Sequence, residues 1–332
     1  KHYQADDFDE MDIRLARKDS TTGQWTEQDV FKHDPVRGRF MNPSFVEDVQ
    51  GLHGVAGRIY LFAMSCSLLN QYDVYATTEQ MDCVYKYSDD QGKTWSGITS
   101  IKWAWDTSLY KSMFPSPANG IQIANGTLVI PAMCTTSNNN YKSGVIYKKP
   151  GENWKFSDPT PVTGENESTA YERDNNEVIL DCRYDAGLFK RKVYKFDLST
   201  GGFIQDWTNE TFIGYMGCQS SITSGAFGGE VLYLKTFPDN VVKGATPVNS
   251  RRNTTVWISK DTHRWIRAYN AHPPLGMGYS VLHKRQDKMI ICYERYDCKK
   301  IEVQTLDNIF NLIEEAAWLY NLSDQDRIAM RP

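Results

Sequence analysis

A few side chains in this sequence carry the groups that polar chemistry needs. Asp6-Asp7-Phe8-Asp9 gathers three carboxyl groups near the start, and a tuned carboxyl can donate or accept a proton. Asn166-Glu167 and Glu172 precede the run Glu177-Val178-Ile179-Leu180-Asp181-Cys182-Arg183, which ends on an arginine. Ser250-Arg251-Arg252-Asn253 sets two further arginines just before another apolar run. A planar guanidinium binds a carboxylate through two parallel hydrogen bonds, so arginines brought together select an anionic substrate. Gly278-Tyr279-Ser280 adds a phenol, and Tyr293-Glu294 a further carboxylate. Singly, each has an ordinary explanation: a solvated acidic turn, a surface glutamate, a strand-end arginine, a packed tyrosine. Their weight comes from order and company.

The elements that must position them are short strands. Arg58–Met64, Gly126–Pro131, Glu177–Arg183 and Lys288–Glu294 are brief apolar runs bounded by turn residues. Asn308–Leu319 alone has helical periodicity, with Asp307 as its cap. Ser88-Asp89-Asp90-Gln91-Gly92-Lys93-Thr94-Trp95 reads as a hairpin turn. In it Asp90 accepts turn amides, Gly92 supplies a positive φ, and Trp95 packs back under the turn. Weaker copies stand at Asp19–Trp25, Tyr147–Trp154, Asp197–Gly201 and Ser259–Trp265. With the glycine position as origin, the steps from 23 to 92, 151, 201 and 263 are 69, 59, 50 and 62 residues. That period suits one four-stranded blade per repeat of a β-propeller.

Composition narrows the classes. The 332 residues are 40% hydrophobic, ample for a core, and all-β architectures of this length often form one domain. An aromatic share of 13% suits strands and sugar-facing surfaces. A net charge of −4 gives no pull toward nucleic acid or an anionic membrane. There is no run of about 18 apolar residues to span a bilayer. Seven cysteines form no CxxC pair, their odd number excludes full intrachain pairing, and the six histidines lack metal-ligand spacing. No metal or cofactor is expected. Sequons stand at Asn125, Asn166, Asn209, Asn253 and Asn321, two of them beside candidate site residues that a glycan would obstruct. A bacterial secreted or cell-surface protein is the expectation, although Lys1–Asp7 is not a signal peptide.

In order, these motifs resemble the sialidases of the bacterial and trypanosomal trans-sialidase superfamily, from about residue 3 to about residue 296. Ser88–Trp95 has the form of the family's Asp-box. The resemblance implies an all-β, six-bladed propeller, a single catalytic domain over 1–332, and a short C-terminal helix. It implies a retaining exo-α-sialidase, a glycosidase that uses a tyrosine nucleophile. Asp7, five residues before the strand-opening Asp12, matches the family's general acid/base better than Asp6 or Asp9. Glu167 matches the glutamate that activates the nucleophile, with Glu172 as the alternative. Arg183 and Arg251 match carboxylate-binding arginines, with Arg252 as the alternative to the latter.

Tyr279, in Gly278-Tyr279-Ser280-Val281-Leu282, matches the nucleophile, and Glu294 the residue that orients an arginine. Gln219 matches a Gln-x-Ser turn in the pocket. Arg39 and Asn42 fall on an Arg-x-x-Asp-Pro-Thr segment whose aspartate contacts a sugar hydroxyl; Asn42 loses that charge and adds a donor. The cluster's first arginine is expected upstream of the sequence given, with Arg331 a remote substitute. Trp103, Trp105 or Tyr110 could stand at the pocket mouth and influence the acceptor. The expected partners are sialylated glycoconjugates, with no nucleic acid, no membrane span and a monomer favoured. A trans-sialidase, an intramolecular trans-sialidase and an inactive sialic-acid-binding propeller are the rival readings.

Overall fold

The computed structural model describes residues 11–67, 81–104, 106, 108–138, 140–184, 191–209, 219–227, 230–238, 254–270, 277–285, 288–295 and 300–306. Asp7, Trp105, Arg251, Arg252, Arg331 and the expected helix at 308–319 lie outside these residues. Among those described, the chain is all-β apart from one 3-10 turn at Lys102–Ala104.

Among the described residues six antiparallel sheets follow one another, each built from consecutive strands. A ribbon joins β1 (Ile13–Lys18) to β2 (Trp25–Phe31). The next sheet holds β3 (Arg39–Asp48), β4 (Arg58–Cys66), β5 (Met81–Ser88) and β6 (Thr99–Ser100) in that order. The third holds β7 (Tyr110–Pro115), β8 (Ile121–Gln122), β9 (Leu128–Thr136), β10 (Tyr141–Lys148) and β11 (Lys155–Phe156), with β8 pairing only β9. The fourth holds β12 (Glu165–Arg173), β13 (Glu177–Tyr184), β14 (Arg191–Phe196) and β15 (Phe203–Asn209). The fifth holds β16 (Ser221–Phe227), β17 (Glu230–Pro238), β18 (Thr254–Ser259) and β19 (Ile266–Asn270). The last holds β20 (Met277–Arg285), β21 (Lys288–Arg295) and β22 (Lys300–Leu306). Serial four-stranded meanders are the sheet topology of propeller blades.

The chain forms two compact units. The first takes residues up to Cys182 together with Val193–Asp206; the second takes Arg183–Lys192 and the residues from Trp207 onward. In the first unit consecutive sheets bury their faces on one another. Ile13, Val30 and Phe31 of the ribbon pack on Phe40, Leu61, Ala63 and Val84. Val46, Tyr60, Phe62 and Cys83 pack on Leu128, Ile130, Ala132, Ile146 and Trp154. Val129 and Val145 pack on Ala170, Val178, Leu180, Tyr194 and Phe196. In the second unit Leu232, Leu234, Val256 and Ile258 pack on Leu282, Met289 and Ile291. A strand buried on both faces reads as a continuous apolar run, which is why Leu128–Ala132 and Val178–Leu180 do not alternate.

Outside the ribbon, the repeated turns join the third strand of a sheet to its fourth. At the fullest copy, between β5 and β6, Ser88 Oγ accepts the Gly92 amide at 2.8 Å. Asp90 Oδ1 accepts the amides of Thr94 and Lys93 at 2.8 and 3.0 Å. The Thr94 amide and hydroxyl, with Ser88, lower the exposed Asp90 carboxyl to about 2. Gly92 has φ +77° and Gln91 φ +59°, and Trp95 packs partly buried against the Leu61–Val84 core. Between β18 and β19 the same scheme recurs without the glycine: Ser259 Oγ accepts the Thr262 amide at 2.8 Å, and Thr262 itself takes φ +62°. Gly23, Gly151 and Gly201 hold φ of +71°, +76° and +79° in the remaining copies. Trp25, in a copy one residue short, is 52% exposed, unlike the buried Trp154.

Among the described residues, Cys66, Cys83, Cys134, Cys182 and Cys292 carry thiols outside any disulfide. Burial pushes the Cys134 thiol up to about 12, so it behaves as an apolar side chain. No helix among the described residues is long and apolar enough to cross a membrane.

Candidate active site

Antiparallel register fixes which residues share an end of each sheet. Arg39 opens β3 opposite Cys66, the last residue of β4, and Cys66 opposes Met81, the first of β5. In the last sheet Met277 pairs Arg295, and Arg295 pairs Lys300. The starts of first and third strands therefore meet the finish of the second. The described candidates fall at these ends. Arg39 and Asn42 lie on β3, Glu167 on β12, and Tyr279 on β20, each near its strand's start. Gln219 comes two residues before β16, and Arg183 and Glu294 stand near the finish of β13 and β21.

Tyr279 sits in a β-bulge. Met277 pairs Arg295 and Ser280 pairs Tyr293, so Gly278 and Tyr279 together oppose Glu294. A bulge leaves an amide outside the ladder and re-aims the adjacent side chain. The freed Tyr279 amide donates to Glu294 Oε2 at 2.8 Å. Glu294 thus holds the candidate phenol's own backbone, a role its sequence position did not announce. The Ser280 hydroxyl meets Thr236 Oγ1 at 3.2 Å, and Ser221 Oγ accepts the Leu282 amide at 3.1 Å. These bonds lock β20 against β16 and β17. Gln219 is fully buried beside Ser221, with Nε2 donating to the Ser220 carbonyl at 2.5 Å.

β3 has the same device. Met41 pairs Met64 and Ser44 pairs Phe62, so Asn42 and Pro43 bulge opposite Ala63. Asn42 takes φ +52°, a left-handed conformation that asparagine tolerates better than most residues, directly before a proline that disfavours the helical region. Arg39 is 3% exposed. Next to it Gly38 has φ +72°, and a Cβ there would fall 2.0 Å from the Cys66 carbonyl, so only glycine fits. Asp82, beside Cys66 and Met81, is raised by burial while accepting from Ser100 Oγ at 2.7 Å and facing Arg37 at 3.8 Å. Nothing in the local sequence singles out Asp82 or Arg37.

Glu167 is 8% exposed, and the residues on either side of it are tied down. Ser143 Oγ donates to the Asn166 carbonyl at 2.5 Å, and the Ser168 amide donates to Ser116 Oγ at 2.8 Å. Glu172 has a different task. Its Oε1 accepts the amides of Ala124 at 2.9 Å and Asn176 at 2.6 Å, at the turn end of β12. That commitment removes Glu172 as the alternative to Glu167. Tyr110 is also removed from the pocket mouth: it is 3% exposed and its hydroxyl donates to the Ser157 carbonyl at 3.1 Å. Trp103 is 63% exposed, with Nε1 held by the Ser100 carbonyl at 3.1 Å.

The described set offers a phenol on a rigid bulge, carboxylates at strand ends, and a buried guanidinium. Among the described residues no group of three His, Cys, Asp or Glu side chains could hold a metal. Groups of these types are able to transfer protons and make nucleophilic attack, and an arginine is able to bind an anion.

Comparison with known proteins bears on the family and the fold. A family model described as a BNR repeat-like domain matches residues 1–226. A sialidase of Clostridium perfringens is 28% identical over 336 residues, covering 93% of this chain and 84% of that protein. The Trypanosoma rangeli sialidase in complex with sialic acid superposes with a TM-score of 0.75 at 17% identity, over 95% of this chain and 52% of that one. The intramolecular trans-sialidase of Ruminococcus gnavus, in complex with oseltamivir carboxylate, gives 0.70 at 15% identity, over 92% and 89%. At such identities the structural likeness speaks for the fold. The chain spans about half the length of the trypanosomal structure.

Proposed function

The chain belongs to the BNR repeat-like domain family, and from that premise we propose that it is a retaining exo-α-sialidase removing terminal sialic acids from glycoconjugates. One observation carries the reading: the described candidates other than Glu172 stand at the same kind of strand end, and Tyr279 is fixed there by Glu294. The similar Clostridium perfringens protein bears the name sialidase, which supports it.

The substrate explains the residue types. Sialic acid carries a carboxylate on its anomeric carbon, so an anionic nucleophile would approach against repulsion. A neutral phenol avoids that. Ionising a phenol of pKa about 10 near neutrality costs about 4 kcal/mol, so a partner must take its proton. Glu167 takes it as Tyr279 attacks, giving a tyrosyl-enzyme intermediate. Asp7 protonates the departing glycosidic oxygen and then activates the incoming water. Arg183, Arg251 and a third arginine hold the substrate carboxylate, while Arg39, Asn42 and Gln219 face the sugar's other substituents. Two inversions give net retention.

The six-bladed form belongs to the same proposal. In four sheets the repeated turn joins the third strand to the fourth. The ribbon β1–β2 carries a copy of that turn at Asp19–Trp25, and so supplies the third and fourth strands of a sixth blade. A transferase reading draws on the Ruminococcus gnavus structure, of which this chain covers 89%. Free, transferred and anhydro sugar have distinct NMR signals, so product analysis separates the two. The decisive variant is Tyr279→Phe: turnover of a fluorogenic sialoside falls at least about 1000-fold while sialoside binding, measured by calorimetry, changes less than about fivefold. Near-normal turnover would remove the nucleophile and the mechanism with it.

A further inference from the structure

Two residues before Glu167, on the same strand, lies a second glutamate. Glu165 is fully buried, and its Oε1 accepts a hydrogen bond from the hydroxyl of Tyr194, which is also fully buried. Tyr194 is on β14, two strands away from β12 in the sheet order, so its phenol reaches past β13 to meet the carboxyl. Its ring is wedged in the core with Ala170, Leu180, Cys182 and Phe196 and sits edge-on to Phe203 at 6.2 Å. A buried carboxyl is costly to desolvate, so a fold needing only stability does better with an apolar residue there.

The bonds around Glu167 give this one a purpose. Four consecutive residues, 165 to 168, include three that are each held by a different neighbour. The Glu165 side chain is held by Tyr194, the Asn166 carbonyl by Ser143, and the Ser168 amide by Ser116. Those neighbours lie on β14, on β10 and just beyond the end of β7. Glu167 stands between two fixed flanks. Such bracketing gives a reacting side chain sub-ångström placement through the backbone that carries it.

Resting on the reading of Glu167 as the base that serves Tyr279, we infer that Tyr194 and Glu165 are positioning residues that set the placement of the Glu167 carboxylate. Neither touches substrate. Their bond fixes the start of β12, and its loss lets Glu167 drift from the phenol it must deprotonate.

The test compares Tyr194→Phe with Tyr60→Phe. Tyr60 is a similarly buried phenol whose hydroxyl donates to the His53 carbonyl at 2.9 Å, at the opposite end of its strand's sheet from Arg39. The inference expects Tyr194→Phe to lower kcat on a fluorogenic sialoside by about 10- to 100-fold with KM within about twofold, and Tyr60→Phe to leave kcat within about twofold. Because Tyr194→Phe could fail to fold, Glu165 supplies a second pair. Glu165→Gln keeps an acceptor at the same reach and retains kcat within about threefold; Glu165→Asp draws it back by a methylene and loses at least about tenfold. Equal kcat for Tyr194→Phe and wild type, or equal behaviour of the two Glu165 variants, overturns the inference. Full activity of Glu167→Gln would instead overturn the assignment of the base, so the two failures are distinct.

Discussion

Replacing Glu294 probes the bulge on which Tyr279 rides. The carboxylate accepts the Tyr279 amide at 2.8 Å, and the bulge leaves that amide outside the ladder between β20 and β21. A hydrogen bond to a charged group contributes about 1.5–3 kcal/mol, and removing the acceptor strands the donor. If about 2 kcal/mol of this positioning is felt in the transition state, kcat falls by about 30-fold. Glu294→Ala is therefore expected to lose about that factor on a fluorogenic sialoside. Glu294→Gln keeps an oxygen in place and loses only the charge assistance, for a deficit of about fivefold. Urea unfolding of both variants separates loss of fold from loss of placement, since kcat is measured well below the unfolding transition. A Glu294→Ala enzyme with kcat within about twofold of wild type, at unchanged stability, would refute the claim that this contact seats the nucleophile.

Two further outcomes concern the turns. Ser88→Ala leaves the buried Gly92 amide without its acceptor, so the urea midpoint should fall by an amount equivalent to about 1–3 kcal/mol while kcat is unchanged. Asp90 is held at about 2 against an ordinary 3.8 by the turn donors, so its contribution is present above about pH 4 and is lost as pH falls toward 2. Asp90→Asn should flatten the stability curve over that interval, as urea titrations at stepped pH will show; an unchanged slope would mean that the turn bonds do not favour the charged carboxyl.

Sequence reading reached the strands and the turns because both are local. The runs at 58–64, 177–183 and 288–294 became β4, β13 and β21, and Ser88–Trp95 folded as its donors and acceptors required. What it missed is set by pairing. The bulges at Asn42–Pro43 and Gly278–Tyr279 exist only relative to the partner strand, so neither sequence segment betrays them. Glu167 and Glu172 look alike along β12, and only the turn amides of Ala124 and Asn176 distinguish them. Tyr110 was a plausible mouth residue until the fold turned its hydroxyl inward to Ser157. The Glu165–Tyr194 bond crosses a whole strand, beyond the reach of any motif.

The opposite ends of these sheets have diverged in what they must tolerate. Tight loops built on Asp19, Asp90, Asp197 and Asp261 close one edge with a few self-contained bonds. Chain length is spent at the other edge, where Cys66 and Met81 are neighbours in register though fourteen positions separate them, and Pro238 and Thr254 are neighbours across fifteen. Sequence change between those register partners can therefore accumulate without disturbing the stitches that keep the sheets folded. An engineer seeking a new glycan preference should rewrite the residues between those register partners and leave the small turns alone.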